Sequence, residues 1–272
     1  MAYITIKGKR MYYTESGTGF PLLFGHSYLW DAVMWDAQVA ELATRYRCIV
    51  PELWAHGRSE PLPEIPYTVE MLAEDYWTFA QALGLERFAM VGLSVGGMWG
   101  THLALNHSEA IAALILMDTH VGSEPPASQA RFFQMLDVVE KAGVMPPPIV
   151  QAATPFFFAQ VSMDKALPPI AAFQQRLTAT PAVNIPSIVA LGRGIFGRNS
   201  VLERLGEITA PTLIVVGADD RSRPPHEARD MAARIPGAQL EIIAEAGHIC
   251  TVEQPMQVNA VLAQFLDAGL PA

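Results

Sequence analysis

Cysteine, basic charge and long apolar runs are all scarce in this sequence. Only two cysteines, Cys48 and Cys250, occur in 272 residues. That excludes a disulfide-held scaffold and reads as two free thiols. The 18 Lys+Arg are outnumbered by 27 Asp+Glu, for a formal net charge of −9, so the phosphate neutralisation that nucleic-acid binding needs has no source. No stretch of about 18 uninterrupted apolar residues occurs, and Met1 to Tyr13 alternates polar and apolar residues instead of carrying a signal peptide's apolar core. These absences predict a cytoplasmic protein with neither membrane nor nucleic acid as a partner. Internal repeats and low-complexity tracts are also missing, and the Pro-rich pieces around Pro61 and Pro146 are too short to link independent domains.

What is present fits one large α/β domain or a domain carrying an insertion: 51% of the residues are hydrophobic and 17% charged, enough for a substantial core. Short apolar runs end in Gly, Pro or Asp at Pro21–Phe24, Cys48–Val50, Phe88–Val91, Leu114–Met117 and Thr212–Val216. None of them alternates, as expected of strands covered on both faces of a parallel sheet. Helical patterns lie between them. Val69, Leu72, Tyr76, Ala80 and Leu83 recur at helical spacing behind a potential N-cap at Thr68, and Val258, Val261, Leu262, Phe265 and Leu266 do so near the end. Strands alternating with helices predict a doubly wound α/β sheet.

The alternation fails between Val121 and Leu205, where Phe132, Phe133, Met135, Phe156, Phe157, Phe158, Met163 and Phe173 stand among prolines and helical stretches. Residues 1–120 and 206–272 are therefore expected to form the core domain, and 121–205 a helical cap over the C-terminal strand ends, where open α/β sheets bind ligands. Most of the cap's aromatics are expected to fill its core and the rest to line a pocket.

Between the strand at Phe88–Val91 and a helix expected over Gly96–Leu105 stands Gly92-Leu93-Ser94-Val95-Gly96. A sharp strand-to-helix turn strains the backbone of its central residue and needs small neighbours, so Ser94 would be thrust out above the sheet as a nucleophile. The start of the following helix supplies N–H groups and the positive end of a dipole where negative charge would develop. A serine hydroxyl is a weak nucleophile and requires a base, itself held by a carboxylate. Of seven histidines, His248 follows the last expected strand, Gln239–Ile243, on a loop at the correct edge. Asp220, in Gly217-Ala218-Asp219-Asp220 just past the strand Thr212–Val216, is the preferred acid, with Asp219 and Asp118 as alternatives. The order Ser94, Asp220, His248 is nucleophile, acid, base. The oxyanion hole is expected to combine the backbone N–H of Val95 with that of Tyr28, while His26 shapes the loop and His56 and His120 pack loops or pocket wall.

These motifs, together with Pro51-Glu52-Leu53-Trp54-Ala55-His56-Gly57-Arg58-Ser59 and Ala210-Pro211-Thr212, resemble the α/β-hydrolase superfamily along nearly the whole chain. Within it they look most like the 3-oxoadipate enol-lactone hydrolase and small carboxylesterase group. The resemblance implies an eight-stranded, mostly parallel sheet with flanking helices, a helical cap inserted after strand 6, no metal and no organic cofactor, and it is compatible with a homodimer. Three departures stand out. Gly25-His26-Ser27-Tyr28 replaces the usual His-Gly. Glu52 and Ala55 stand where the pattern Asp-x-x-Gly-x-Gly-x-Ser has Asp and Gly. The nucleophile is Ser where haloalkane dehalogenases and epoxide hydrolases use Asp.

The resulting expectation is a serine carboxylesterase acting on small to medium esters with a hydrophobic part, through an acyl-enzyme on Ser94. An enol-lactone or other lactone is the alternative substrate, and a carboxylated one would want a cation in the cap, with Arg131, Arg176, Arg193 and Arg198 as candidates. Carbon–carbon bond hydrolysis, perhydrolysis and a non-catalytic ligand-binding module share the same constellation.

Overall fold

In the computed structural model, which describes residues 2–270, eight strands form one sheet in the order β1-β2-β4-β3-β5-β6-β7-β8. The hairpin β1 (Ala2–Ile6) and β2 (Lys9–Ser16) turns through Lys7 and Gly8, both at positive φ, and β2 pairs antiparallel with β4 (Arg47–Pro51). From β4 onward every pairing is parallel, through β3 (Pro21–Gly25), β5 (Phe88–Leu93), β6 (Ile111–Met117), β7 (Thr212–Gly217) and β8 (Gln239–Ile243). Every residue of β5, β6 and β7 is buried, which is why these strands read as unbroken apolar runs. β6 begins three residues before the expected Leu114: Ala112 and Ala113 have little strand preference of their own, but Ile111 and Ala113 pair with Phe88 and Ala89 of β5, and that pairing overrides propensity.

Helices α1 (Asp36–Leu42), α2 (Val69–Ala82) and α3 (Val95–Asn106) separate the first strands, and α9 (Pro225–Arg234), α10 (Cys250–Glu253) and α11 (Pro255–Gly269) accompany the last. The start of α2 is set as expected, the Thr68 hydroxyl accepting from the Met71 N–H at 3.2 Å. Between β6 and β7 lie five helices, α4 (Pro126–Ala142), α5 (Pro147–Phe157), α6 (Gln160–Asp164), α7 (Pro168–Thr178) and α8 (Ile185–Phe196). Proline opens α4, α5 and α7 and follows the first residue of α8; its fixed φ suits a helix start and its missing N–H costs nothing there.

This cap is fastened to the loops of the sheet by polar links. The Tyr28 hydroxyl donates to the Ile188 carbonyl at 2.8 Å, Asn184 to the Ala55 carbonyl at 3.0 Å, and the Leu62 N–H to the Ser187 hydroxyl at 3.0 Å. The end of α5 is held most closely, with the Ser222 hydroxyl donating to the Phe156 carbonyl and the Ile249 N–H to the Phe157 carbonyl. The Glu253 carboxylate accepts from both Ala159 and Gly247 N–H groups. No helix among the described residues is long and apolar enough to cross a membrane, and both cysteines are buried and free.

Candidate active site

Ser94 sits between β5 and α3 with φ 57° and ψ −120°, a backbone conformation that costs a non-glycine residue about 1–3 kcal/mol and persists only where its surroundings enforce it. They do so here. The Ser94 N–H donates to the Met117 carbonyl at 2.9 Å, and its carbonyl accepts from the Thr119 hydroxyl at 2.7 Å and the Met98 N–H at 3.0 Å. The flanking glycines explain themselves by space. A Cβ on Gly92 would lie 2.4 Å from the Gly96 backbone, and one on Gly96 would lie 2.0 Å from the Gly25 carbonyl oxygen. The elbow is thus wedged against the end of β3.

His248 lies in the loop after β8, and its Nδ1 is 2.9 Å from Asp220 Oδ2 with both side chains buried. Asp220 follows β7 and turns back on its own chain, its Oδ1 accepting from the N–H groups of Ser222 at 2.8 Å and Arg223 at 2.9 Å. These bonds fix the carboxylate, and the carboxylate in turn orients the imidazole. Of the alternative acids, Asp219 is exposed. Asp118 is fully buried, but it accepts from the Gly217 N–H at 2.7 Å and contacts Cys250 Sγ at 2.8 Å. Burial, then the neighbouring charge of Asp220, pushes the Asp118 carboxyl well above the ordinary carboxylate range.

The loop after β3 is held by two neutral histidines. His26 Nε2 accepts from the Leu53 N–H at 2.8 Å while its Nδ1 contacts the Ser27 carbonyl at 2.8 Å. His56 Nε2 accepts from the Leu29 N–H at 3.0 Å while its Nδ1 contacts the Trp54 carbonyl at 2.8 Å. Burial lowers their pKa values from 6.5 to about 3 and about 4, so both remain uncharged. Around the loop, the Ser27 N–H goes to Met34 Sδ, that of Leu29 to His56 and that of Trp30 to the Ser27 carbonyl. The Tyr28 N–H is left without a partner among the described residues. Val95 is the first residue of α3, where an N–H has no acceptor within the helix. In the substituted turn at 52–59 Ala55 takes φ 62°, the region a glycine would favour, and burial lifts Glu52 to about 7 while its carboxylate accepts from the Arg58 N–H.

Ser94, Tyr28 and His248 line one cavity of about 90 Å³, closed over by Phe132, Met135, Leu136 and Phe156 of the cap. Phe157 and Phe196 also line it, whereas Phe158 and Phe173 turn inward and pack on Trp30 with centroids 6.0 and 5.0 Å away. None of the four expected cap cations reaches this cavity. Arg193 pairs with Asp137 and Glu140, Arg131 lies over Phe132 and Phe156, Arg176 over Trp30, and Arg198 is buried against Glu124. The cation in the wall is Arg223 from the sheet side, held by Glu124 and 3.5 Å from Glu227. Its place three residues beyond Asp220, where its own N–H can reach back to that carboxylate, was the signal available in the sequence.

The sequence profile of the alpha/beta hydrolase fold family matches residues 20–255. The chain belongs to that family. RutD of Klebsiella pneumoniae, provisionally named a carbamate hydrolase, is 31% identical over 87% of each chain. Among solved structures, a thermophilic esterase from Thermogutta terrifontis superposes with a TM-score of 0.90 at 28% identity over 98% of this chain and 99% of that one. The enol-lactonase from Burkholderia xenovorans superposes with a TM-score of 0.88 over 98% and 100% of the two chains; at 23% identity it speaks for the shared fold alone. This family member is thus a hydrolase with esterase and enol-lactonase structures among its neighbours.

Proposed function

We propose that the protein hydrolyses small carboxylic esters with an apolar acyl or alcohol part through an acyl-enzyme on Ser94. In this reading His248 takes the Ser94 proton as the oxygen attacks the acyl carbon, and the N–H groups of Val95 and Tyr28 hold the oxyanion. His248 then passes the proton to the leaving alcohol, and water repeats the sequence on the acyl-enzyme, releasing the acid and restoring Ser94. Asp220 holds the imidazole in the tautomer with its proton on Nδ1 and stabilises the cation formed in each half-reaction. The single observation that carries the reading is the 2.9 Å hydrogen bond joining Asp220 to His248, the imidazole lining one cavity with a serine at a left-handed elbow.

The substrate class follows from the walls. They are built of Phe, Met, Leu and Val with few polar groups, and burying apolar area there contributes about 25 cal/mol per Å². A cavity of about 90 Å³ suits a short chain. An anionic substrate, such as a carboxylated enol-lactone, gains little: Arg223 is already held by Glu124, and no other cation lines the cavity among the described residues. The test is a panel of p-nitrophenyl esters of graded length beside simple lactones, a carboxylated enol-lactone and an alkyl carbamate, the last suggested by the RutD name. Highest kcat/KM on short uncharged esters is expected. Preference for the carboxylated lactone or for the carbamate by tenfold or more would overturn the assignment.

A further inference from the structure

The loop that carries His248 is anchored on both sides of the imidazole, and both anchors lead to the same turn of the cap. On one side the Ile249 N–H donates to the Phe157 carbonyl at 3.1 Å. On the other the Gly247 N–H donates to Glu253 Oε2 at 2.7 Å, while Glu253 Oε1 accepts from the Ala159 N–H at 2.9 Å. Phe157 is the last residue of α5, and Ala159 stands just before α6. The acid loop reaches this turn too, the Ser222 hydroxyl donating to the Phe156 carbonyl at 2.7 Å. The last carbonyls of a helix have no partner within it, so the end of α5 offers its free acceptors to the base loop and the acid loop alike. Packing closes the joint. A Cβ on Gly247 would lie 2.5 Å from the Ala159 nitrogen and 2.8 Å from the Phe158 carbonyl carbon, so cap backbone rests directly on the residue before His248. Glu253, the last residue of α10, is buried and does not line the cavity.

We infer that Glu253 is a positioning residue for His248, its carboxylate bridging the base loop to the end of cap helix α5 so that the cap fixes where the imidazole stands in the cavity it shares with Ser94. Each of its two bonds joins a carboxylate to a backbone N–H, and such charge-assisted bonds are short and directional. With the bridge in place, Gly247 and Ile249 are both held and the ring between them has one orientation, with Nδ1 against Asp220. With the bridge cut, the loop keeps the Ile249 bond alone and the imidazole is free to turn about it, away from Asp220. The end of α5 thereby belongs to the frame that aims the base, whereas Phe132 and Met135 from α4 form the substrate wall.

The inference rests on the triad reading above, and Glu253→Gln tests it separately. The amide has nearly the same size, keeps one acceptor and turns an NH2 group against the other N–H. On the best ester kcat is expected to fall about 10-fold, the scale of one lost hydrogen bond to a charged group, with KM within about twofold because no wall residue changes. The low-field proton resonance of His248 Nδ1–H, held by Asp220 in the wild type, is expected to broaden or vanish. Ile6→Ala, a buried truncation in β1 at the opposite edge of the sheet from β8, controls for lost stability and is expected to keep both kcat and the resonance. Wild-type kcat or an unchanged resonance in Glu253→Gln overturns the inference, and so does an equal loss of the resonance in Ile6→Ala. Should Glu253→Gln not fold, Glu253→Asp decides: its carboxylate, one methylene shorter, keeps the charge but stretches both bonds, and a smaller fall in kcat with a shifted resonance is expected, while wild-type behaviour in both contradicts the inference. Labelling of wild-type Ser94 by a fluorophosphonate separates the two levels. Failure to label sinks the triad reading, whereas normal labelling with any contrary variant result sinks only the role of Glu253.

Discussion

From the sheet come Ser94, Tyr28, Ser222 and His248; from the cap come Phe132, Met135, Leu136 and Phe156; all surround one cavity. The sheet residues are placed by backbone: a left-handed elbow, a carboxylate bonded to its own loop, and a loop pinned by two neutral histidines. The cap residues are placed by packing between helices and contribute area in place of directed bonds. Moving a group placed by backbone disables the chemistry, while changing one placed by packing alters which substrate fits.

That contrast is sharpest at the nucleophile. Ser94→Ala should lower kcat by about 10⁴-fold or more, since a nucleophile and its base act as one unit, while the melting temperature stays within a degree or two of wild type; kinetics and calorimetry on one preparation check both. Asp220→Asn should follow with a loss of about 10³- to 10⁴-fold, because the amide presents a donor to Nδ1 and favours the wrong tautomer. If either variant kept a tenth of wild-type activity, the division between sheet and cap would fail.

The border between the two regions carries a buried ion cluster. Glu124, at the entry to the cap, pairs with Arg198 at its exit and with Arg223 on the sheet, all almost fully buried. Glu124→Gln leaves two guanidinium groups without their shared countercharge and should cost about 3–5 kcal/mol of stability, read by urea unfolding, with a smaller effect on KM for short esters. Stability should also depend on pH through the oxyanion loop. His26 and His56 have folded pKa values lowered to about 3 and about 4. The unfolded chain therefore binds protons below about 6.5 that the folded chain refuses, and their contribution, complete above that value, is lost as pH falls. Glu52, raised by burial from 4.5 to about 7, acts in the opposite sense, its contribution being lost as pH rises through 7. The melting temperature should climb from pH 4 to about 6.5 as the two histidines' contribution is restored, less steeply than they alone would give because the Glu52 contribution is lost between 4.5 and about 7, and Glu52→Gln should steepen the climb. Smallest is the cap. Phe132→Ala should shift ester chain-length preference by about 10-fold in kcat/KM, the scale of a few methylenes in an apolar pocket, with kcat on the best substrate nearly constant.

The two regions also differ in how much of them can be read from the chain. Parallel strands buried on both faces announce themselves as apolar runs, and β3, β4, β5 and β7 extend only one or two residues beyond the expected bounds, while β8 matches throughout. Gly92, Ser94 and Gly96 are legible because a tight elbow tolerates few residue types. The pairing of Asp220 with His248 follows from their placement after β7 and β8. The partners of the cap arginines are not legible: Arg193 meets Asp137 and Glu140 from another helix, and Arg198 meets Glu124 across 74 residues, contacts that no local pattern records. Arg223 escaped notice for the converse reason, since its backbone and side chain serve different partners, Asp220 and Glu124. Asp118 was visible as a strand-end aspartate, but its acceptance of the Gly217 N–H depends on the β6–β7 pairing.

The central claim is tested most directly by treating wild type and a His248→Ala variant with a fluorophosphonate at neutral pH and mapping the adduct by peptide mass. Rapid stoichiometric labelling at Ser94 in the wild type, slowed about 10³-fold or more in the variant, is expected. Absence of an adduct on Ser94, or equal rates in the two proteins, would contradict it.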